Sequence, residues 1–198
     1  MNKKQLMKKI KDEVLNLKHS PLYKYRLENN AFPVIGEGNH DAKIVFIGEA
    51  PGKNESMTGK PFCGASGKIL DELFEHININ RKDVYVTNIV KDRPENNRDP
   101  KPEEIKIYSP FLDKQLEIIQ PKVIVALGRF SMEYIMNKFN LNLNSKTISQ
   151  VHGKQFKTKT SFGEVFIIPL YHPAVAVYNR QQLPLLKKDF EILKKFLV

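Results

Sequence analysis

The stretch Lys43–Gly52, KIVFIGEAPG, decides the fold. Its first half is a continuous apolar run rich in β-branched residues, which suits a strand buried on both faces of a sheet. Its second half, Gly48-Glu49-Ala50-Pro51-Gly52, is a tight turn that carries a carboxylate. Three further runs share the apolar character: Val84–Val90 (VYVTNIV), Val123–Leu127 (VIVAL) and Val165–Leu170 (VFIIPL). Helical patterns separate them. Ser66–His76 sets Ile69, Leu70, Leu73 and Phe74 on one stripe, Pro102–Ile119 does the same with Ile105, Leu112, Leu116 and Ile119, and Phe130–Phe139 forms a third. Strand alternating with helix predicts right-handed crossovers, hence an α/β fold with a parallel sheet of four strands and helices on both faces. An N-terminal helix over Lys3–Lys18 and a C-terminal helix over Pro184–Leu197, with Pro184 in its first turn, complete the set.

A chain of 198 residues suits one domain over 1–198, with residues 1–20 packed on it as a helix. No apolar run approaches the roughly 18 residues a membrane span requires, so a membrane protein is excluded. The opening MNKKQLMKKIKDEVLNLK has no continuous apolar segment of the kind a secretory signal needs, which leads us to expect a cytoplasmic protein. One cysteine, Cys63, can neither close an internal disulfide nor supply a cysteine-only metal site. The net charge of +10 is the footprint of a polyanion binder such as DNA or RNA, although lysines on the solvated faces of the terminal helices contribute to it.

In an open parallel sheet the ligand crevice lies beyond the carboxyl ends of the strands. Polar groups collect there in this sequence: Glu49 after the first strand, Asn88 and Lys91-Asp92-Arg93 at the second, Gly128-Arg129 after the third, and Tyr171-His172-Pro173 after the fourth. The Gly48–Gly52 turn is neither a Walker loop nor a GxGxxG turn, which excludes the ATPase and dehydrogenase readings. Either it is a structural turn, or its backbone N–H groups approach a ligand while Glu49 acts as base or electrostatic partner. Gly59–Gly67 brackets Phe62 with glycines just before a helix; the ring either plugs the core or offers a stacking platform for a flat heterocycle. Asn88, polar in an apolar strand, is either a turn residue or a donor and acceptor pair that matches the edge of a base such as uracil. His172, held by Pro173, is either structural or a donor to developing negative charge. Cys63 is read as a small neighbour rather than a nucleophile.

GEAPGKNES at 48–56, GKPFCGASGKILDEL at 59–73, DVYVTNIVKDRPENNRDPKPEEI at 83–105, PKVIVALG at 121–128 and YHPA at 171–174 resemble, in order, the motifs of family 4 uracil-DNA glycosylases. The resemblance runs from about residue 18 to the C-terminus. It implies a three-layer α/β/α sandwich with a central four-stranded parallel sheet, a uracil flipped out of DNA into the strand-end crevice, and hydrolysis of its N-glycosidic bond to leave an abasic site. Carried onto matching positions, it implies that Glu49 activates or orients water and supports the cationic sugar, and that Ala50, Pro51 and Gly52 line the pocket. Phe62 would stack on uracil, Asn88 would read its edge, and His172 would stabilise the departing uracilate through O2. Glu55 matches an acidic position near the pocket, whereas the aspartate that often follows it is Ser56 here. After the histidine-proline motif the family inserts a loop into the duplex; Val177 or Tyr178 would be the wedge and Arg180 would hold a phosphate.

Members of that family bind an iron–sulfur cluster through four cysteines, and the aligned positions here are Leu17, Ser20, Asp92 and Tyr108, none of them a thiolate. The cluster is therefore expected to be absent, with packing holding those segments. A related branch that cross-links to DNA carries a histidine in a basic loop; Lys91–Pro100 has none, so cross-linking is not expected. DNA is the expected partner and a monomer the expected state. Two other readings remain open at this point: a non-catalytic module that binds uracil or DNA, and a glycosylase for another deaminated base such as hypoxanthine or xanthine.

Overall fold

The computed structural model describes residues 1–141 and 146–197. Its sheet has six strands: β1 (Glu37–Gly38), β2 (Ile44–Gly48), β3 (Tyr85–Asn88), β4 (Val123–Leu127), β5 (Phe156–Thr160) and β6 (Gly163–Leu170), in the order β1-β3-β2-β4-β6-β5. The central four, β3-β2-β4-β6, run parallel, with Phe46 opposite both Val86 and Val125, and Val125 opposite Ile168. These are the four runs read from the sequence. The sheet has six strands rather than four because antiparallel β1 and β5 cover its two edges. Both escape a pattern search for physical reasons: β1 is two residues long, and β5, FKTKT, has every second residue in solvent.

Nine helices surround the sheet among the described residues: α1 (Lys3–Leu15), α2 (Pro21–Glu28), α3 (Lys53–Thr58), α4 (Ala65–His76), α5 (Pro102–Ile119), α6 (Arg129–Lys138), α7 (Ile148–Val151), α8 (Ala174–Tyr178) and α9 (Leu183–Phe190). The N-terminal helix stops at Leu15 rather than Lys18, because Ser20 caps a new helix that starts at Pro21. The C-terminal helix likewise gives way after Phe190 to 3-10 turns over Glu191–Phe196.

Alternation along the strands divides the core into two layers. In β2, Val45 and Ile47 face α1, α5 and α6 with Val14, Leu112 and Ile135, while Ile44 and Phe46 face α4 and α9 with Leu73, Phe74 and Phe190. This buries every residue of β2 and β4 and explains their unbroken apolar sequences. The chain leaves β2 toward β3 on one side and later enters β4 on the other. The topological switch point, where α/β sheets open a crevice, therefore lies at the carboxyl ends of β2 and β4.

Candidate active site

A cavity of about 330 Å³ opens at that edge, within the size range of small-molecule sites. Ala50, Gly52, Phe62, Asn88, His172, Val177 and Tyr178 line it together with Glu55, so four separate segments of the sequence meet there. Glu49, Pro51 and Arg180 are not among the lining residues.

Close packing beneath the cavity depends on two glycines. A Cβ on Gly48 would sit 2.4 Å from Oδ1 of Asn88 and 2.7 Å from the Phe62 ring, so the bare backbone lets these two side chains approach the end of β2. A Cβ on Gly67 would sit 1.8 Å from the carbonyl oxygen of Phe62. Phe62 itself has φ of +48°, a region bulky L-residues rarely adopt, and the close approach of α4 helps impose it. Glu55 adds a second constraint: its Oε1 accepts from the backbone N–H groups of Cys63 at 3.0 Å and Gly64 at 2.8 Å, which lead into α4. The Phe62 ring then lies against His172, with centroids 5.5 Å apart and planes inclined by 29°.

His172 follows β6. Its Nδ1 accepts the backbone N–H of Ala174 at 3.1 Å, so a neutral ring carries its proton on Nε2. Burial lowers its pKa to about 4, against an opposing pull from Glu55, and the ring is neutral at pH 7. Glu49 moves the other way. Burial, reinforced by the charge of Asp99 and opposed by Arg129, raises its pKa to about 7. Asp99 and Arg129 also pair with each other at 3.4 Å. A carboxyl group raised toward neutrality beside a cavity is a functional-site signal.

Asn88 ends β3 opposite Gly48 and is 2% exposed. Just after it, Lys91 is fully buried, and burial holds its amine well below the usual lysine range, with Asp113 opposing. At the mouth, Val177 and Tyr178 lie on α8 rather than in an irregular loop, and Tyr178 is 90% exposed. Arg180 pairs with Glu72 at 2.6 Å, where Lys187 also binds. Sequence reasoning did not single out Asn54, Ser66 and Asn97, which also line the cavity. Asn97 was findable in principle: it follows Asn96, both have positive φ, and asparagine is the residue most tolerant of that region after glycine. Arg93 Nε fixes its side chain at 2.7 Å.

The four positions aligned with cluster cysteines are buried together. Ser20 Oγ and Tyr108 Oη are 2.7 Å apart, Tyr108 donates to Asp92 Oδ2 at 2.6 Å, and Arg26 Nη1 donates to both carboxylate oxygens, at 3.1 and 2.9 Å. Arg26 also caps the carbonyls of Val14 and Leu15 at the end of α1. Two hydroxyls, a leucine and a carboxylate already committed to arginine do not fit an iron–sulfur cluster, which takes thiolates. The expectation that packing holds these segments needs refinement: Leu17 and Tyr108 are buried, but a polar chain also runs through the site.

The uracil DNA glycosylase superfamily is matched over residues 35–197. The chain is 44% identical over 193 residues to a type-4 uracil-DNA glycosylase of Sulfurisphaera tokodaii, an alignment that covers 97% of this chain and 85% of that protein. It is 44% identical over 179 residues to one of Archaeoglobus fulgidus (90% and 87% covered) and 37% identical over 197 residues to one of Thermotoga maritima (98% and 96% covered). The chain belongs to the type-4 uracil-DNA glycosylases, enzymes of DNA repair.

Proposed function

We propose that this protein hydrolyses the N-glycosidic bond of uracil flipped out of DNA, through Glu49, Phe62, Asn88 and His172. The observation that carries the reading is the convergence of Phe62, Asn88 and His172 on one cavity, with the histidine tautomer fixed by Ala174. Uracil stacks on Phe62, while the Asn88 amide accepts from N3–H and donates to O4. The bond from N1 of uracil to C1′ of the sugar breaks, and its electron pair leaves with the base as uracilate. His172 Nε2–H donates to O2, where that charge collects; a neutral donor suits the task because it stabilises the anion without a proton transfer. The sugar becomes cationic at C1′, and the Glu49 carboxylate stabilises it and takes the proton of the water that adds there. Free uracil and an abasic site result. No lysine is assigned to attack C1′, so the strand stays intact.

Tyr178, exposed next to Val177 on α8, is the wedge that fills the space left by the extruded nucleotide, which helps offset a few kcal/mol of unstacking. Arg180 contacts a phosphate by exchanging Glu72 for it, and the net charge of +10 supplies the salt-dependent remainder of DNA affinity. The enzyme acts as a cytoplasmic monomer of one domain; it does so without an iron–sulfur cluster, and the donor set of Ser20, Asp92 and Tyr108 supports this last part. A panel of oligonucleotides with uracil, hypoxanthine or xanthine tests the reading. Release of uracil with an intact abasic strand is expected; tight binding without release, or preferential release of a purine, would overturn it.

A further inference from the structure

We propose that Lys91 is the positioning residue for Asn88, a role that rests on the reading of Asn88 as the group that contacts the base. Lys91 is 0% exposed, and its Nζ donates to the main-chain carbonyl of Asn88 at 2.6 Å, to Gln115 Oε1 at 2.6 Å and to Thr87 Oγ1 at 2.8 Å. Among the described residues no carboxylate pairs with it, although the charge of Asp113 acts on it. Gln115 in turn donates through Nε2 to the carbonyl of Ile35 at 2.9 Å and to Tyr85 Oη at 3.0 Å, and Thr87 donates to the same Ile35 carbonyl at 2.7 Å. The main chain of Lys91 accepts from Val34 N at 2.7 Å. One amine thus joins the end of β3, α5 and the segment leading into β1.

The arrangement is complete in either protonation state. As an ammonium, Lys91 supplies three donors to three acceptors. As an amine it donates twice, and the Thr87 hydroxyl turns to donate to the lone pair while Gln115 still serves the Ile35 carbonyl. Burying an amine carries a desolvation cost that an apolar side chain of the same length avoids, so packing alone does not account for lysine here. What Nζ holds is the peptide plane from which the Asn88 side chain springs. That side chain has little freedom to spare, since its Oδ1 occupies the space a Cβ on Gly48 would need. Ile89 N donates to the Gly48 carbonyl at 3.1 Å from the other edge of the same plane, so without Nζ the plane keeps one tether of two and the amide tilts away from the base edge, a misplacement of the kind that costs up to about 100-fold in rate.

The test is a double-mutant cycle between Lys91→Met and Asn88→Ala, read by single-turnover excision, by inhibition with free uracil and by the thermal midpoint. Lys91→Met alone is expected to lower kcat/KM roughly 10- to 100-fold and to weaken uracil inhibition in parallel, with the pH midpoint of activity unmoved. In the Asn88→Ala background it is expected to change nothing further. Equal losses in both backgrounds, or wild-type excision and uracil inhibition by Lys91→Met, would overturn the proposal. Full activity in Asn88→Ala would instead overturn the reading of Asn88. Should Lys91→Met fail to fold, Gln115→Leu, which removes one anchor of Nζ, is put through the same cycle with the same two outcomes.

Discussion

The backbone N–H of Ala174 donates to Nδ1 of His172 at 3.1 Å, and this one bond determines which ring nitrogen can serve a ligand. The neutral ring presents Nε2–H, while burial against Phe62 keeps the imidazolium from forming above about pH 4. His172→Ala is expected to lower single-turnover excision about 100- to 1,000-fold, the range for removal of one preorganised donor. The ring nitrogen signals of His172 should keep one tautomer from pH 5.5 to 8. Titration near 6.5 would contradict the fixed neutral donor.

Glu49 governs the pH dependence. With its pKa raised to about 7, the carboxylate forms as pH rises through that value, so kcat/KM for excision should climb with a midpoint near 7 and fall toward acid. Asp99 raises this pKa and Arg129 lowers it. Asp99→Asn should therefore move the midpoint down and Arg129→Gln should move it up, each by less than about one unit at physiological salt because both groups are exposed.

The same group sets a stability prediction. A carboxyl with a raised folded pKa favours the folded state where it is protonated and opposes it once ionised, so its penalty grows from pH 4.5 to 7 and is full above. Glu49→Gln is expected to raise the thermal midpoint at pH 8, to leave it unchanged at pH 4.5, and to lose excision at pH 8, where the wild type is active. Calorimetry at the two pH values reads the difference.

Gly48→Ala probes the packing of the pocket floor. Its Cβ would meet Asn88 Oδ1 at 2.4 Å and the Phe62 ring at 2.7 Å, so one of the two must move. Excision is expected to fall about 100-fold with uracil affinity falling in parallel. An unchanged rate would show that neither side chain has to stand where it does.

The polar chain at the cluster positions predicts a stability defect rather than a catalytic one. Asp92→Ala leaves Arg26 buried without its carboxylate, a break worth about 3–5 kcal/mol, whereas Tyr108→Phe removes one hydrogen bond worth about 1 kcal/mol and leaves the ion pair. Chemical denaturation measures both. Protein produced under anaerobic conditions with iron supplied should carry no iron and no acid-labile sulfide; either one in stoichiometric amount would refute the cluster-free reading.

The four central strands and the helices between them were legible because both faces of the sheet are covered, which leaves runs such as VIVAL with no polar interruption. The edge strands were not, since a two-residue pair and an alternating FKTKT carry no such signature. The residues brought to the cavity were legible for a related reason: at the end of an apolar strand a polar residue such as Asn88 stands out. What binds them together was not. Lys91 stands among the polar residues of the strand end in the sequence, but Gln115 and Arg26 look there like ordinary surface residues, and only the fold buries all three. The exchange of cluster ligands for a hydrogen-bonded chain was half legible, because the missing thiols are visible in the sequence whereas the partner Arg26 lies 66 residues from Asp92.

The most direct test of the account is single-turnover release of uracil from a U·G oligonucleotide, with alkaline cleavage of the abasic site as readout, by wild type, Asn88→Ala and His172→Ala. Rapid release by wild type is expected, with a loss of about 100-fold or more in each variant and thermal midpoints close to that of wild type. Wild-type rates in both variants, or no release by the wild-type protein, would contradict it.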